Sequence, residues 1–335
     1  IRFLYHIGVD AVIVQDSALI KLVKSLFPGL EVHCSTQMTI HNSAGVEFYA
    51  GLGADRIVLA RELSIKEVTR IIEKTGMDVE IFIHGALCVS YSGQCLMSSM
   101  IGGRSGNRGR CAQPCRKIYS FYDVVSNSIV DEKRGKHLLS TRDLNTYMKL
   151  EEVLKSGVRS LKIEGRMKKP EYVAIVVKNY REAIDNILRG EKDYHSNNAS
   201  YELESAFNRE FTEGYLFNNR NKEIVSIDRP DNRGIYLGRL VKQQGNIASI
   251  RIENGILNDG DGIEIIDSKG KSKGSLISGI RVKGQNVRTA VYGNTAEVFM
   301  REKAEAGAKV NKTYDSVLNK KAKEEYAREN IRKVH

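Results

Sequence analysis

The feature that most constrains the fold is a turn that recurs along the first half of the chain. Gly8-Val9-Asp10, Gly53-Ala54-Asp55, Gly76-Met77-Asp78 and Gly157-Val158-Arg159 each close a helix-like stretch and open a short β-rich run. Between these turns the text alternates: AVIVQ then SALIKLVKSLF, EVHCSTQ then NSAGVEFYAGLG, RIVLARE then SIKEVTRIIEKTG. Such alternation spells parallel βαβ units, because a parallel strand pair needs a crossover helix. One helix-to-strand hinge used repeatedly predicts a barrel. VEIFIHG, HLLSTRDL and SLKIEGR bring the strands to six, and a long helix from about Pro170 to Leu188 follows the last. An open doubly wound sheet is the competing architecture, but the Gly-rich fingerprint expected after its first strand is absent. The opening IRFLYHIG reads as the last turns of a helix closed by Gly8, so the chain reads as a fragment.

The strand VEIFIHG runs into HGALCVSYSGQCLMSSMIGGRSGNRGRCAQPCRK, residues 84–117, which holds four of the five cysteines. From Ile81 to Tyr122 there is no Asp or Glu, although charged residues make up 28% of the chain. Four thiolates brought together repel one another unless positive charge sits between them, and a metal centre is the usual answer. Six, fifteen and three residues separate Cys88, Cys95, Cys111 and Cys115. Those intervals match neither zinc knuckles nor ferredoxin runs, so spacing leaves the metal open. A carboxylate-free shell of Arg and backbone N–H groups suits an anionic iron–sulfur cluster, and a four-thiolate zinc is the alternative. With so few cysteines, a disulfide scaffold is disfavoured. Cys34, inside EVHCSTQ, reads as a small core residue.

EIFIHGALCVSYSGQCLMS, GGRSGNRGRCAQPCRKIY, LLSTRDL, LKIEGRMKKPEYV and FTEGYL together resemble peptidase family U-32, the collagenase-like family. The resemblance implies a TIM-like (β/α) barrel with a cysteine-ligated 4Fe-4S cluster. The family's barrel has two further strands ahead of this chain's first, so the chain is expected to lack its first two βα units. Branches of the family are oxygen-independent hydroxylases of tRNA or ribosomal RNA bases, or of a quinone precursor, with a hydroxyl source linked to prephenate. The peptidase name implies proteolysis instead, but the sequence holds no HExxH zinc site, no G-x-S-x-G elbow and no Cys/His nucleophile pair. A non-catalytic RNA-binding or scaffold fragment is the third reading. The ligand set that follows is Cys88, Cys95, Cys111 and Cys115; some members carry a ligand cysteine where this chain has Asn145.

The remaining organisation is coarser. Residues 1–190 read as the partial barrel, 191–233 as linker and junction, 234–302 as a small all-β barrel of short runs between Gly, Asn and Asp, and 303–335 as a charged helical tail. The tail also stops without a cap, so portions of the parent protein are expected beyond both ends. A net charge of +11 favours an anionic partner, RNA above others. No window is apolar enough for a membrane span and no signal peptide opens the chain, which points to the cytoplasm.

In a TIM barrel the chemistry sits at the C-terminal strand ends. Here these supply Gln15, Asp16, Ser35, Gln37, Arg61, Glu62, His84, Asp143, Glu164 and Arg166. Gln37, Arg61, Glu62, His84, Glu164 and Arg166 are the catalytic candidates. Glu164 and Arg166 point the same way on a strand because side chains alternate, giving a base beside an anion clamp, or else an ion pair. Arg61 with Glu62 carries the same two readings. His84 is either a proton donor or a hydrogen-bonded core histidine. Arg104, Arg108, Arg110, Arg116 and Lys117 are the candidate RNA contacts, or a wrapping that neutralises the cluster.

Overall fold

The computed structural model describes residues 1–130, 136–196, 198–218, 224–268 and 270–327. The chain divides into two compact units, residues 1–164 with 210–230, and residues 165–209 with 231–335.

The first unit begins with α1 (Arg2–His6), which Gly8 closes at φ +74°. Then come β1 (Ala11–Val14), α2 (Ser17–Leu26), β2 (Glu31–Cys34), α3 (Ser43–Gly51), β3 (Arg56–Val58), α4 (Ile65–Thr75) and β4 (Asp78–Ala86). Each of these helices after the first has a side-chain cap: Asp16, Asn42 and Ser64 accept from the first-turn amides, and Glu67 completes a capping box with Ser64. The cysteine loop follows, with α5 (Met97–Gly102) inside it, then the hairpin β5 (Tyr122–Asp123) and β6 (Ser128–Ile129). β7 (Asp143–Asn145), α6 (Leu150–Lys155), β8 (Ser160–Glu164) and, much later in the chain, β9 (Phe211–Thr212) complete the unit.

β1, β2, β3, β4 and β8 form a parallel sheet in that order. Among the described residues β1 has one sheet neighbour, β2, and the sheet does not close on itself. HLLSTRDL departs from expectation: only its last two residues are strand, and the strand they open with Asn145 pairs antiparallel with the end of β4, Asn145 opposite His84. The chain returns to the sheet here from the cysteine loop and not through a crossover helix, so it arrives from the opposite direction. β9 then runs parallel to β7.

β4 is the longest strand of this sheet, and its two faces differ. Val79 and Ile81 are buried on one face and Glu80 and Phe82 on the other; between Phe82 and His84 the register against β8 shifts by one residue, so the simple alternation ends there. Glu80 accepts from Ser160 Oγ at 2.6 Å and Lys162 Nζ at 2.7 Å. Burial alone would raise this carboxyl, but those two donors hold it below the ordinary carboxylate range. The Lys162 ammonium and the Arg61 guanidinium lie 5.5 and 5.6 Å from the Phe82 ring centre. A polar file thus climbs one face of the sheet toward its C-terminal rim. At that rim Gly85 has φ +103°, and a Cβ there would meet the Glu164 carbonyl oxygen at 2.1 Å, so the β4–β8 approach requires glycine.

Among its described residues the second unit holds α7 (Pro170–Leu188), α8 (Ala199–Ala206), ten short strands and α9 (Ser316–Ala327). The strands are β10 (Ile235–Gln244), β11 (Ile247–Ile252), β12 (Ile256–Asn258), β13 (Gly262–Ile266), β14 (Ser272–Leu276), β15 (Ile280–Val282), β16 (Gln285–Val287), β17 (Thr289–Val291), β18 (Thr295–Phe299) and β19 (Lys309–Tyr314). Eight make one antiparallel sheet in the order β14-β13-β19-β10-β11-β18-β15-β16, and β12 pairs with β17. Leu237, Leu240, Ile250, Ile252, Ile263, Val298 and Val310 fill its core. The stretch read as linker and junction contains α8 and β9, and the stretch read as a helical tail contains β19, deep in the sheet. Residues 328–335 of that tail lie outside the described residues.

β19 hides from a pattern search because a lysine is buried in it. Lys312 is 4% exposed and donates to Asp315 Oδ2 at 2.7 Å and to the Ile256 carbonyl at 2.9 Å, with Asp261 Oδ2 at 3.3 Å. Tyr201 of α8 donates to the same Asp315 oxygen at 2.8 Å. Asp261 in turn accepts from the Ser316 amide and hydroxyl, and Asp315 Oδ1 caps α9 through the Leu318 amide. One ammonium ties α8, β19, α9 and the β12 end. Burial opposes charge on both partners, but pairing wins: Asp315 is held below the ordinary carboxylate range and Lys312 above the ordinary lysine value. The pair's contribution to stability is complete at neutral pH. It is lost as pH falls through the lowered Asp315 pKa, and on the alkaline side only as pH rises through the raised Lys312 pKa.

Lys312→Met strands two buried carboxylates, and urea unfolding followed by far-UV circular dichroism at pH 7 is expected to show a loss of about 3–5 kcal/mol. Lys283→Met, on the exposed turn between β15 and β16, is expected to change stability by less than about 0.5 kcal/mol.

Candidate functional site

The cysteine loop leaves β4 at Ala86 and is pinned to the neighbouring strand ends by hydrogen bonds, beginning at Ser92. Ser92 is fully buried. Its amide and hydroxyl donate to Glu62 Oε1 at 2.9 and 3.2 Å, the Arg61 amide donates to its Oγ at 3.1 Å, and Thr39 Oγ1 donates to its carbonyl at 2.7 Å. The next residue, Gly93, has φ +77°, and a Cβ there would stand 2.3 Å from the Gln37 carbonyl oxygen. Gln37, on the 3-10 turn Thr36–Met38, sends Nε2 to the Gly106 carbonyl at 3.2 Å, and Asn107 Nδ2 reaches the Gly93 carbonyl at 3.1 Å. Gln37 therefore clamps both halves of the loop.

Four cysteines of this loop are half-buried, and none is in a disulfide. Burial pushes the Cys115 thiol up; the neighbouring Arg116 opposes, and Cys88, Cys111 and Cys95 push it further, so the four share one local field. In CAQPC, Gln113 adopts a left-handed conformation that turns its amide onto Cys111 Sγ at 3.3 Å, and Pro114 opens the short helix carrying Cys115. Backbone amides aimed at sulfur stabilise thiolate charge. Among the described residues no three His, Cys, Asp or Glu side chains are grouped closely enough to hold a single metal ion. Cys34, by contrast, is a wholly buried strand residue whose thiol is pushed by burial up to about 12.

The loop's cations divide by position. Arg104, Arg108, Arg110 and Lys117 are exposed, with Arg104 Nε bonded to the Arg110 carbonyl at 3.0 Å. Arg116 turns inward to Ser140 Oγ at 2.9 Å, to the Thr141 carbonyl and to the Leu87 carbonyl at 3.3 Å, fastening the loop to the β4 and β7 ends.

Immediately beside Cys88, Val89, Ser90 and Tyr91 form one wall of a cleft of about 380 Å³. His41, Glu62, Leu63, Glu67 and Tyr215 also line it. Burial raises the Tyr215 phenol; Glu62, Tyr91 and Cys88 add to this and Arg61 opposes it, which places the phenol among the groups that edge the loop. Glu62 is held by Ser92 through Oε1, while its Oε2 is closed to solvent and accepts from no group among the described residues.

The sequence candidates are thus only partly brought together. Gln37, Arg61 and Glu62 gather around Ser92. His84 is buried with its ring 5.6 Å from that of Phe211, and does not line the cleft. Glu164 ends β8 opposite Gly85 and does not line it either. The strand reading that puts Glu164 and Arg166 on one face fails: β8 stops at Glu164, and Arg166 is an exposed turn residue in the second unit. Gly165, which follows the last paired residue, breaks the alternation. Ser92, Tyr91, Tyr215 and His41 are residues that the sequence does not single out. The first three lie in the runs SYSGQC and FTEGYL, which mark them; nothing marks His41.

A family model described as peptidase family U32 matches residues 1–226, and the chain belongs to that family. It is 37% identical over 270 residues to the Escherichia coli 23S rRNA 5-hydroxycytidine synthase, covering 78% of this chain and 40% of that protein. It is 40% identical over 181 residues to Bacillus subtilis tRNA hydroxylation protein P1, covering 53% of this chain and 43% of the relative. A Porphyromonas gingivalis protein named collagenase is 34% identical over 321 residues, covering 90% and 76%. The chain spans less than half the length of that rRNA synthase and of tRNA hydroxylation protein P1.

Gly93→Ala is expected to raise amide hydrogen exchange across residues 89–110 by about tenfold or more, as ~1–3 kcal/mol of strain enters the loop. Gly102→Ala, where a Cβ meets nothing within 4 Å, is expected to leave exchange unchanged.

Proposed function

We propose that this chain carries the core of an iron–sulfur-dependent enzyme that hydroxylates a base in ribosomal or transfer RNA. The observation that carries the reading is the convergence of four unbridged thiols in a carboxylate-free loop, in a family with relatives named for hydroxylating rRNA and tRNA. Cys88, Cys95, Cys111 and Cys115 would hold a 4Fe-4S cluster. When bound, the cluster would supply one-electron chemistry at the edge of the cleft.

The residues of this chain would do the rest. The Gln37 and Ser92 clamps would fix the loop over the strand ends, Arg116 would hold its exit, and the exposed Arg104, Arg108, Arg110 and Lys117 would take phosphates. The five parallel strands and their helices would belong to a TIM-type barrel, which places chemistry at this rim. On the family resemblance, the hydroxyl source would be linked to prephenate. The compartment would be the cytoplasm, where the RNA is; no described helix is long and apolar enough to cross a membrane.

The relative named collagenase supports a second reading, proteolysis. Gelatin zymography of iron-loaded parent protein discriminates: clearing that survives Cys88→Ala would favour it over the hydroxylase.

Anaerobic purification of the intact parent protein is expected to give about four irons and four sulfides per chain, lost with Cys88→Ala or Cys111→Ala. A single zinc, or full iron retention in each variant, would overturn the ligand set. Replacing Arg104, Arg108 and Arg110 together is expected to flatten the salt dependence of RNA affinity, by about 0.7 in log–log slope for each single-strand phosphate that is no longer neutralised. An unchanged slope would take RNA off this loop.

A further inference from the structure

We infer that a row of cations crossing the sheet of the second unit, Lys309, Arg239 and Arg251, binds the phosphate backbone of RNA. The inference rests on the RNA hydroxylase reading and adds to it a contact surface in the other unit.

Register makes the row. Ser272 of β14 stands opposite Ile266 of β13, Ile266 opposite Lys309 of β19, Lys309 opposite Arg239 of β10, Arg239 opposite Arg251 of β11, and Arg251 opposite Thr295 of β18. Residues directly opposite in antiparallel strands point to the same face. Their chain neighbours Ile265, Val310, Leu240, Ile250 and Ala296 are in the core, so the row lies on the outer face. Ser272, Lys309, Arg239 and Arg251 are exposed, and Ile266 and Thr295 are half-buried. Strands stand about 4.8 Å apart, which puts the three cationic positions within about 10 Å along the sheet.

By itself this arrangement is unfavourable. Like charges directly opposite destabilise a strand pair, and here two such pairs follow one another, Lys309 with Arg239 and Arg239 with Arg251. Glu253 answers part of one charge: it stands 3.9 Å from Arg239 Nε and also accepts from the Tyr236 hydroxyl. Lys309 lies 5.3 Å from the Tyr236 ring centre, and neither it nor Arg251 has an acidic partner among the described residues. The register is nonetheless firmly set. β10 bulges on either side of Arg239, between Tyr236 and Gly238 against β19 and between Leu240 and Lys242 against β11. A Cβ on Gly238 would stand 1.9 Å from the Arg251 carbonyl oxygen, so the close approach of β10 and β11 requires glycine at this point. A slip of one residue would turn the arginines into the core.

The chemistry of the row selects its partner. It holds one apolar residue, Ile266, and no acid, so its attraction is for negative charge. A single small anion meets one or two of its groups, whereas a chain of phosphates meets them all. Guanidiniums take phosphate oxygens two at a time, a lysine adds a point charge, and Ser272 and Thr295 put a hydroxyl donor at either end. Contacts of this kind carry no sequence information, so the surface adds affinity and leaves base choice to the other unit.

The test measures binding of the parent protein to a fluorescein-labelled single-stranded dodecaribonucleotide, by anisotropy across a series of salt concentrations. Arg239→Gln, Arg251→Gln and Lys309→Gln combined are expected to weaken binding tenfold or more at low salt and to flatten the log–log salt slope by about 2, at about 0.7 for each phosphate no longer neutralised. Arg251→Gln alone is expected to give about a third of that change in slope. Removing the same charge from α9, with Lys320→Gln, Lys321→Gln and Lys323→Gln at three exposed positions, is expected to leave the slope nearly unchanged. The row variant is expected to unfold in urea no earlier than the unaltered protein, because repulsion is relieved, so its lost affinity is not lost fold. An unchanged slope in the row variants, or an equal change in the α9 variant, takes RNA off this row while the RNA reading stands. A row variant that loses binding to poly-L-glutamate but keeps its RNA affinity assigns the surface to an acidic protein and overturns the inference. Absence of RNA binding by the unaltered parent protein overturns both.

Discussion

The site depends on one close backbone approach. Gly93 lies against Gln37 with no room for a side chain, and Ser92 beside it is held from several directions by Glu62, Arg61 and Thr39. A loop this long and this rich in glycine would otherwise sample many arrangements, because its charges are all of one sign and offer it no internal ion pairs. Hydrogen bonds from the ends of two neighbouring strands, β2 and β3, do what opposite charges cannot. They also explain why Gln37 and Arg61, which look like reagents in the sequence, have neighbouring backbone and Ser92 as partners. In the structure both tie the cysteine loop to the strand ends.

Much of the architecture is legible in the sequence because period and punctuation are local. The repeated glycine turns mark the strand starts, Asp16, Asn42 and Ser64 mark helix starts, and the parallel order of β1 to β4 follows from them. The places that mislead are places where tertiary contacts override the local pattern. β7 pairs antiparallel because of the route the chain takes back to the sheet. β19 reads as tail because its inward residues include Asn311 and Lys312, whose burial is tolerable only beside Asp261 and Asp315, residues no window brings together. Arg166 leaves the strand's face by the insertion of one glycine.

The candidate site is legible in a different sense. The four cysteines stand out by chemistry, in a run of sequence that carries no acid. Tyr215 and His41 cannot be found in this way, since a tyrosine or a histidine far along the chain acquires meaning only when folding sets it across a cleft. Glu62 lies between: its type and its place at a strand end are visible, but the inequivalence of its two oxygens is a property of the packed structure.

The order in which the pieces of the first unit occur along the chain has a consequence for synthesis. Residues 1–164 leave the ribosome first, then a stretch that belongs to the second unit, and only afterwards residues 210–230, which bring Phe211 to the ring of His84 and Tyr215 to the cleft. A nascent chain therefore displays the cysteine loop before the side of the cleft that faces it exists. The cleft beside Cys88 is therefore completed only after an intervening segment of the second unit has been made.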